Sequence, residues 1–302
     1  MFVATTVNHT SPNLETAALI ALLRAPGARW QQIADDVEEA GSARQVLDRG
    51  PTGEQASMFG EGAASEDLTA HIADLGAWAR EGMSVLTVLD ADYPENLRTV
   101  YDRPPLIFVA GDLCPEDSRS VAVVGTRRPT GDGITRARRI AHHLAASGYT
   151  VASGLATGID TTAHTAALEV GGRTVAVIGT GLRRAYPREN AGLQARIAKE
   201  GAVISQFLPD APPTRRSFPM RNGVMSGLAL ATVVVEAGEI SGSRMQARLA
   251  LQHNRPVFLL RSLLEHDWAA SMERRPGVYV VDEPEQITEA IQRLTSTALP
   301  TA

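Results

Sequence analysis

The chain has 302 residues and a formal net charge of −5, and 44% of its residues are hydrophobic against 21% charged. This composition is typical of a folded globular protein and excludes the disordered and fibrous classes. Apolar runs stay well short of the roughly 18 residues that a membrane helix needs, and the first residues do not resemble a signal peptide, so we expect a cytoplasmic protein.

Residues 1–83 have the pattern of helices. Ser11 followed by Pro12 is typical of a helix N-terminus, and from Leu14 onward apolar residues recur at helical spacing. A Gly-rich polar stretch over 50–65 predicts a loop or linker. The pattern therefore predicts a small helical N-terminal domain over 1–83.

The periodicity changes at residue 84. Ser84–Leu89 and Leu106–Ala110 have the pattern of short strands, and a proline-marked connection joins them. Cys114 follows as the only cysteine, which excludes an intramolecular disulfide and a multi-cysteine zinc site and agrees with a reducing compartment.

Apolar β-branched runs then alternate with helical segments as far as residue 282. The runs are 121–124, 150–153, 174–178, 202–205, 232–237 and 256–260. Continuous apolar strands separated by helices predict a doubly wound α/β domain, in which ligands bind beyond the carboxyl ends of the strands. The tail predicts one helix, Glu283–Leu294, and is too short for a winged-helix domain.

The loop after the first core strand contains Gly125, Thr126 and Arg127. Its glycines allow close approach to an anion, although it has no GxGxxG fingerprint, and a tight strand-to-helix turn explains them equally well. Six arginines and one aspartate lie between residues 119 and 139, which favours a polyanionic ligand over a solvated helix face.

The loop after the second core strand contains Gly154 and Gly158 and ends at Asp160. Glycine amides, a hydroxyl and a carboxylate at this place are typical of a pocket floor for phosphate and ribose. Asp160 is equally well explained as the N-cap of a helix over 161–170. His164 is better explained as a core or surface histidine than as a general base.

Later strand ends carry two more candidate elements. After the fourth core strand we expect a long proline-rich loop that reaches Phe218, Arg221 and Asn222, an arrangement suited to stacking bases and pairing phosphates of a single strand. After the fifth, the segment Ser241–Ser243, with Gly242 at its centre, begins a helix and either binds phosphate or caps the helix.

Other site classes fail on the residues present. Lys199 is the only lysine among 29 basic residues, and no P-loop surrounds it. GxSxG, HExxH and metal-spaced His/Cys clusters are absent from the sequence, so we expect no catalytic residues, no metal and no cofactor.

Five ordered segments carry a family resemblance. They read SGLATGIDTTAHTAAL, GTGLRRAYPRENAGL, ISQFLPDAPPTRRSFPMRN, SGLALATVVVEA and SGSRMQARLAL. Together they resemble the DNA-processing protein A family, DprA or Smf, strongly over 84–260 and loosely over the helical N-terminus.

The resemblance implies an extended Rossmann-like, mostly parallel sheet with a SAM-like helical N-terminal domain. It implies a homodimer that binds single-stranded DNA and hands it to the recombinase RecA during DNA uptake, with no covalent chemistry. The phosphate-binding positions it implies are Gly125, Thr126, Arg127, Gly154, Gly158, Phe218, Arg221, Asn222, Ser241, Gly242 and Ser243, and Asp160 joins them as a candidate from its position.

The chain departs from the family pattern at two arginine positions, where it has Gly223 and Ile240. The departures motivate a second hypothesis, a nucleotide-binding sensor or nucleotide-processing enzyme of the wider group that includes the phosphoribohydrolases, with Asp160 or Glu236 as carboxylates. A third hypothesis is a diverged relative that acts through protein contacts alone.

Overall fold

The computed structural model describes residues 14–49 and 68–297. The expected helix start at Ser11 and the expected linker over 50–65 lie outside these ranges. Within the described ranges, no helix is long and apolar enough to cross a membrane.

In the described part of the chain, four helices precede the sheet: α1 (Leu14–Arg24), α2 (Trp30–Ala40), α3 (Ala43–Arg49) and α4 (Thr69–Arg80). Their apolar faces join the core of the sheet, because Trp78 of α4 packs edge-on against Phe108 with ring centres 5.2 Å apart. The helical character expected for this region is confirmed for its described residues. The placement of a domain boundary at residue 83 stays a prediction.

Nine strands form one sheet: β1 (Met83–Thr87), β2 (Leu106–Gly111), β3 (Ser120–Val124), β4 (Thr150–Ser153), β5 (Thr174–Val177), β6 (Ala202–Ser205), β7 (Ala231–Val234), β8 (Val257–Leu260) and β9 (Val278–Val281). Their order is β1-β2-β6-β5-β4-β3-β7-β8-β9. The pairings of β1 with β2 and of β2 with β6 are antiparallel, and the others are parallel. The expected doubly wound, mostly parallel sheet is confirmed.

Helices cover the sheet: α5 (Glu95–Arg98), α6 (Gly131–Ala146), α7 (Ile159–Glu169), α8 (Ala191–Glu200), α9 (Ser217–Leu228), α10 (Gly242–Gln252), α11 (Asp267–Glu273) and α12 (Pro284–Thr297). α6 packs on α7 and α12, whereas α9 packs on α5 and α10. The core strands are buried throughout because side chains cover both faces of the sheet.

Two expectations about elements were wrong. The sequence reading missed β9 (Val278–Val281), a half-buried edge strand, and extended the loop after β6 too far, because Phe218, Arg221 and Asn222 lie on α9. Pro219 had suggested a loop, but it occupies the first turn of α9, where a missing N–H and a fixed φ are tolerated.

The direction of winding reverses at β3. The chain proceeds from β3 through β4 and β5 to β6 on one side, and then crosses to β7 on the other side of β3. A crevice opens at such a switch point beyond the carboxyl ends of the two strands, and this is where doubly wound sheets bind their ligands.

Candidate nucleic-acid interface

The loops after β3 and β7 form the base of the crevice. The backbone N–H of Thr126 donates to the carbonyl of Glu236 over 2.7 Å, and the N–H of Ile159 donates to the carbonyl of Thr126 over 3.2 Å. A Cβ atom on Gly125 would lie 2.5 Å from the Ile159 side chain. Gly125 and Thr126 therefore hold three elements together at close range, and the Thr126 amide is already bonded within the protein.

The N-terminus of α6 holds a carboxylate from the same chain. Glu236 accepts hydrogen bonds from the Thr130 backbone N–H at 3.1 Å and from the Thr130 hydroxyl at 2.7 Å. A Cβ on Gly133 would also collide with this carboxylate. Glu236 therefore occupies the place where a phosphate sits in many nucleotide-binding folds.

Asp160 fills the loop after β4 in a similar way. Its carboxylate accepts from the Ala156 backbone N–H at 3.3 Å, and only 6% of the residue is exposed. Gly158 is the N-cap of α7, so the expectation of an N-cap at Asp160 was wrong, and Asp160 lies in the first turn instead. Burial raises the pKa of Asp160, while Arg221 and the loop amides act in the opposite direction.

His164 is a core residue, as the preferred sequence interpretation expected. It is completely buried, and its Nδ1 lies 2.7 Å from the Thr174 hydroxyl. Burial lowers the pKa of His164 to about 3, so the imidazole is neutral near pH 7. It does not reach the crevice as a general base.

Arg221 forms the floor of the crevice. It is 6% exposed, and its Nη1 donates to the Val177 carbonyl at 2.9 Å. The guanidinium lies so close over Gly154 that any Cβ at that position would overlap it. Burial lowers the pKa of Arg221, while the charge of Asp160 raises it. The buried Arg221 side chain adds positive potential to the crevice, whereas direct contact with a ligand falls to more exposed residues.

A cluster of one exposed cation, one exposed aromatic ring and one half-buried aromatic ring lies above this floor. The Arg127 guanidinium carbon is 5.7 Å from the centre of the Phe218 ring, and the Tyr186 ring centre is 5.6 Å from that of Phe218. Phe218 lies against Gly179, where a Cβ would be 2.9 Å from the ring. We call Arg127, Phe218 and Tyr186 the aromatic cluster. Tyr186 was not among the predicted site residues, although its position before a proline in the loop after the third core strand was a signal in the sequence.

Further arginines from the same loops add positive charge. Arg128 follows Arg127, while Arg215 and Arg216 immediately precede α9, and all three are exposed. The arginines of α6 differ, because Arg138 pairs with Glu169 and Arg139 pairs with Glu283. Of the arginines over 119–139 that the sequence suggested for a polyanion, those of the loop after β3 therefore remain the candidates.

The segment Ser241–Ser243 begins α10 beside the crevice. The Ser241 hydroxyl accepts from the Ser243 backbone N–H at 3.3 Å and contacts the Ser243 hydroxyl at 2.5 Å. The space around Gly242 is open. Asn222 steadies this turn from α9, because its side-chain amide donates to the Gly242 carbonyl at 3.3 Å. Asn222 is thus a positioning residue for the turn.

The two departures from the family pattern lie in different surroundings. Gly223 is buried on α9, where a Cβ would be 3.1 Å from an Asp102 carboxylate oxygen. Ile240 is fully exposed immediately before Ser241. The first position faces an acidic residue, and the second stands in solvent at the edge of the crevice.

A Ser–His–Asp chain that the sequence reading missed lies outside the crevice. The His253 Nδ1 is 2.9 Å from the Ser226 hydroxyl, and its Nε2 is 2.7 Å from Asp102. Ser226 is completely buried and donates to the Gly223 carbonyl at 3.0 Å, so it is closed to substrate. These hydrogen bonds link the segment that carries Asp102 to α9 and to the end of α10. Among the described residues no three side chains form a potential metal site.

Comparison with known proteins identifies relatives. Residues 84–292 match the model of a family described as DNA recombination-mediator protein A. The chain is 42% identical to the Smf protein of Synechocystis over 179 residues, which are 58% of this chain and 45% of that protein. It is 35% identical to the DNA processing protein DprA of Bacillus subtilis over 196 residues, 65% of this chain and 66% of that protein. The chain thus spans about half to two thirds of the length of these two curated relatives.

Two solved structures have the same fold. The DNA processing protein A of Streptococcus pneumoniae superposes with a TM-score of 0.71 at 30% identity, covering 90% of this chain and 97% of that one. The corresponding protein of Helicobacter pylori, described for its single-stranded DNA binding mode, gives 0.61 at 28% identity and covers 71% of this chain and 96% of that one.

Proposed function

The chain belongs to the DNA recombination-mediator protein A family, and from this premise we propose that it binds single-stranded DNA in the crevice between β3 and β7. The observation that carries the proposal is the aromatic cluster of Arg127, Phe218 and Tyr186 at the carboxyl ends of the strands. An exposed arginine beside one exposed and one half-buried aromatic ring supplies the stacking surface and phosphate contacts that an unpaired strand needs.

The chemistry of binding follows from these groups. Arg127 neutralises a backbone phosphate, the ring of Phe218 stacks on a base, and Ser241–Ser243 contribute hydroxyl and amide donors to a neighbouring phosphate. None of these contacts reads a base edge, so affinity has little sequence preference and falls with salt.

A free mononucleotide fits the crevice less well. Glu236 occupies the N-terminus of α6 and Asp160 accepts from the Ala156 amide after β4, so two usual seats for a terminal phosphate are already filled by side chains of the protein. A nucleotide phosphate at either place would meet a carboxylate. This arrangement favours the DNA proposal over the nucleotide sensor or enzyme.

The test is fluorescence anisotropy with a labelled strand of ~35 nucleotides, long enough to span more than one site, at two salt concentrations. Arg127→Ala should weaken binding about tenfold or more at low salt, as expected for loss of one charge-assisted contact. Phe218→Ala should weaken it by about fivefold or more through lost stacking. Arg138→Ala removes an exposed arginine that pairs with Glu169 and serves as the control.

The proposal fails if Arg127→Ala and Phe218→Ala both bind like the parent protein. It also fails if duplex DNA competes as well as a single strand, or if a mononucleotide displaces the strand. Release of free base from a nucleoside monophosphate would establish the enzymatic alternative.

A gain-of-function variant provides a second test at an exposed position. Ile240→Arg places a guanidinium beside Ser241, where folding makes no demand on the side chain because Ile240 is fully exposed. One added phosphate contact should tighten binding at low salt and steepen the salt dependence by about 0.7 in log–log slope. Ile240→Gln, which adds length without charge, is the control.

We further propose that the protein forms a homodimer in the cytoplasm, catalyses no covalent step and hands its strand to RecA during DNA uptake. Family membership supports this role, and light scattering tests the dimer. RecA filament assembly on a strand coated with single-strand binding protein tests the hand-over. An unchanged rate of assembly with and without the protein would refute the mediator role.

A further inference from the structure

A second basic pocket lies outside the crevice, between α10 and α11. It has a volume of about 230 Å³ and is lined by Arg244, Arg248, Trp268, Ser271, Met272 and Arg275. Three of its six lining residues are arginines, of which Arg244 and Arg248 lie on α10 and Arg275 lies in the turn after α11. The candidate interface described above uses none of these side chains.

The arginines of this pocket carry largely uncompensated charge. The Arg244 guanidinium carbon lies 5.3 Å from the centre of the Trp268 ring, and its carboxylate partner is Glu239 at 3.5 Å. Arg248 and Arg275 are exposed, and neither forms an ion pair within the described ranges. Such a concentration of guanidinium groups attracts phosphate, to which arginine binds in a forked geometry.

Helix α10 leads from the crevice to this pocket. Ser241 caps this helix at the crevice, and Arg244 and Arg248 follow one turn apart on the same helix. With a rise of ~1.5 Å per residue, Arg248 lies ~10 Å along the axis from Ser241. The cations are therefore spaced along a line, as the phosphates of an extended strand are, whereas a compact nucleotide requires groups that converge on one point.

We propose that single-stranded DNA leaving the crevice runs along α10 and that its outer phosphates bind Arg248 and Arg275. The inference rests on the proposed function and extends it, because it makes the binding site longer than the crevice. At Arg244 a phosphate of the strand replaces Glu239 as the partner of the guanidinium, which the buried ring of Trp268 holds in place.

The test compares two lengths of oligothymidylate, ~6 and ~20 nucleotides, chosen around the ~4–16 nucleotides that one such site covers. The double variant Arg248→Ala/Arg275→Ala should bind the short strand as the parent does. It should bind the long strand about tenfold more weakly at low salt, with a log–log salt slope shallower by about 1.4 for two lost phosphates. Both side chains are exposed, so the fold is preserved.

A matched control separates this effect from a general loss of charge. Arg80→Ala/Arg196→Ala also removes two exposed arginines, on α4 and α8, which pack at the opposite end of the sheet around β1, β2 and β6. Equal losses in the two double variants would overturn the inference, as would an unchanged affinity of Arg248→Ala/Arg275→Ala for the long strand.

The outcomes also separate this inference from the proposed function. If the parent protein binds neither strand, the proposed function itself fails. If the parent binds both and Arg248→Ala/Arg275→Ala leaves DNA binding unchanged but alters the mass in light scattering, the pocket contacts a protein and the inference is wrong.

Discussion

The carboxylate of Glu236 at the start of α6 provides a sharp test of how the crevice is built. Substitution by glutamine keeps the size and one oxygen acceptor but removes the charge. In the parent protein that charge receives two hydrogen bonds from Thr130 and lies at the positive end of a 16-residue helix. The substitution therefore isolates the electrostatic contribution of the carboxylate.

The expected loss of stability follows from these contacts. A hydrogen bond to a charged group is worth about 1 kcal/mol more than a neutral one, which gives about 2 kcal/mol for two bonds, and the helix dipole adds a few tenths. Glu236 is partly exposed, so solvent screening reduces the sum to about 2 kcal/mol. For a domain of this size that loss lowers the Tm by about 4–8 °C.

Urea unfolding of Glu236→Gln measures this loss, and Glu239→Gln is the matched control. Glu239 lies in the same loop but contacts Arg244 and His266 rather than α6, so its substitution should cost less than about 0.5 kcal/mol. Equal stabilities of the two variants would refute the reasoning. Glu236→Ala should also vacate the anion seat, so that inorganic phosphate stabilises this variant and leaves the parent unaffected.

Three further predictions concern the supporting structure. The pKa of His164 lies at about 3 in the folded protein and near 6.5 in the unfolded chain, so the free energy of unfolding should fall by up to ~1.4 kcal/mol per pH unit as the pH drops through this range. His164→Gln should make this pH dependence shallower in urea unfolding. An unchanged pH dependence would contradict a buried neutral His164. Gly158→Ala places a Cβ 2.5 Å from the carbonyl oxygen of Thr126 at a φ of 81°, so it should destabilise the protein by ~3 kcal/mol or more and weaken DNA binding. Its control is Gly171→Ala, at a φ of 68° in open space, which should cost only about 1 kcal/mol in the same urea unfolding assay. Asp102→Ala leaves the buried His253 without its 2.7 Å partner, so it should lower the free energy of unfolding by ~1–3 kcal/mol and leave DNA affinity unchanged. A loss of DNA affinity in this variant would contradict the separation of Asp102, His253 and Ser226 from the crevice.

Local patterns in the sequence predicted most of the sheet. Strands such as β3 and β6 are short apolar β-branched runs, and burial on both faces leaves this pattern without reference to the rest of the fold. The edge strand β9 was missed although its residues, Val278–Val281, form a similar apolar run, and its half-buried pattern is that of a strand at the edge of the sheet. α9 escaped because its small and polar residues are buried nearly all round, which removes the amphipathic periodicity of a surface helix.

The candidate site, too, was predicted only in part from the sequence. Chain order placed Arg127, Phe218 and Ser241–Ser243 at strand ends, and the direction of parallel strands brings such ends to one edge of the sheet. Sequence alone did not separate contact residues from the floor. Arg221 looked like a phosphate ligand because its residue type and motif fit, but it is buried against Gly154 and bonded to Val177.

The sequence by itself thus determined the fold class, the family and the loops that surround the crevice, because local periodicity and short motifs encode them. The tertiary structure decided which groups remain free to bind. Glu236 reaches the start of α6 across 106 residues of chain, and Tyr186 meets Phe218 from a different loop. Such contacts depend on strand order and on side-chain packing in three dimensions, which local sequence patterns do not record.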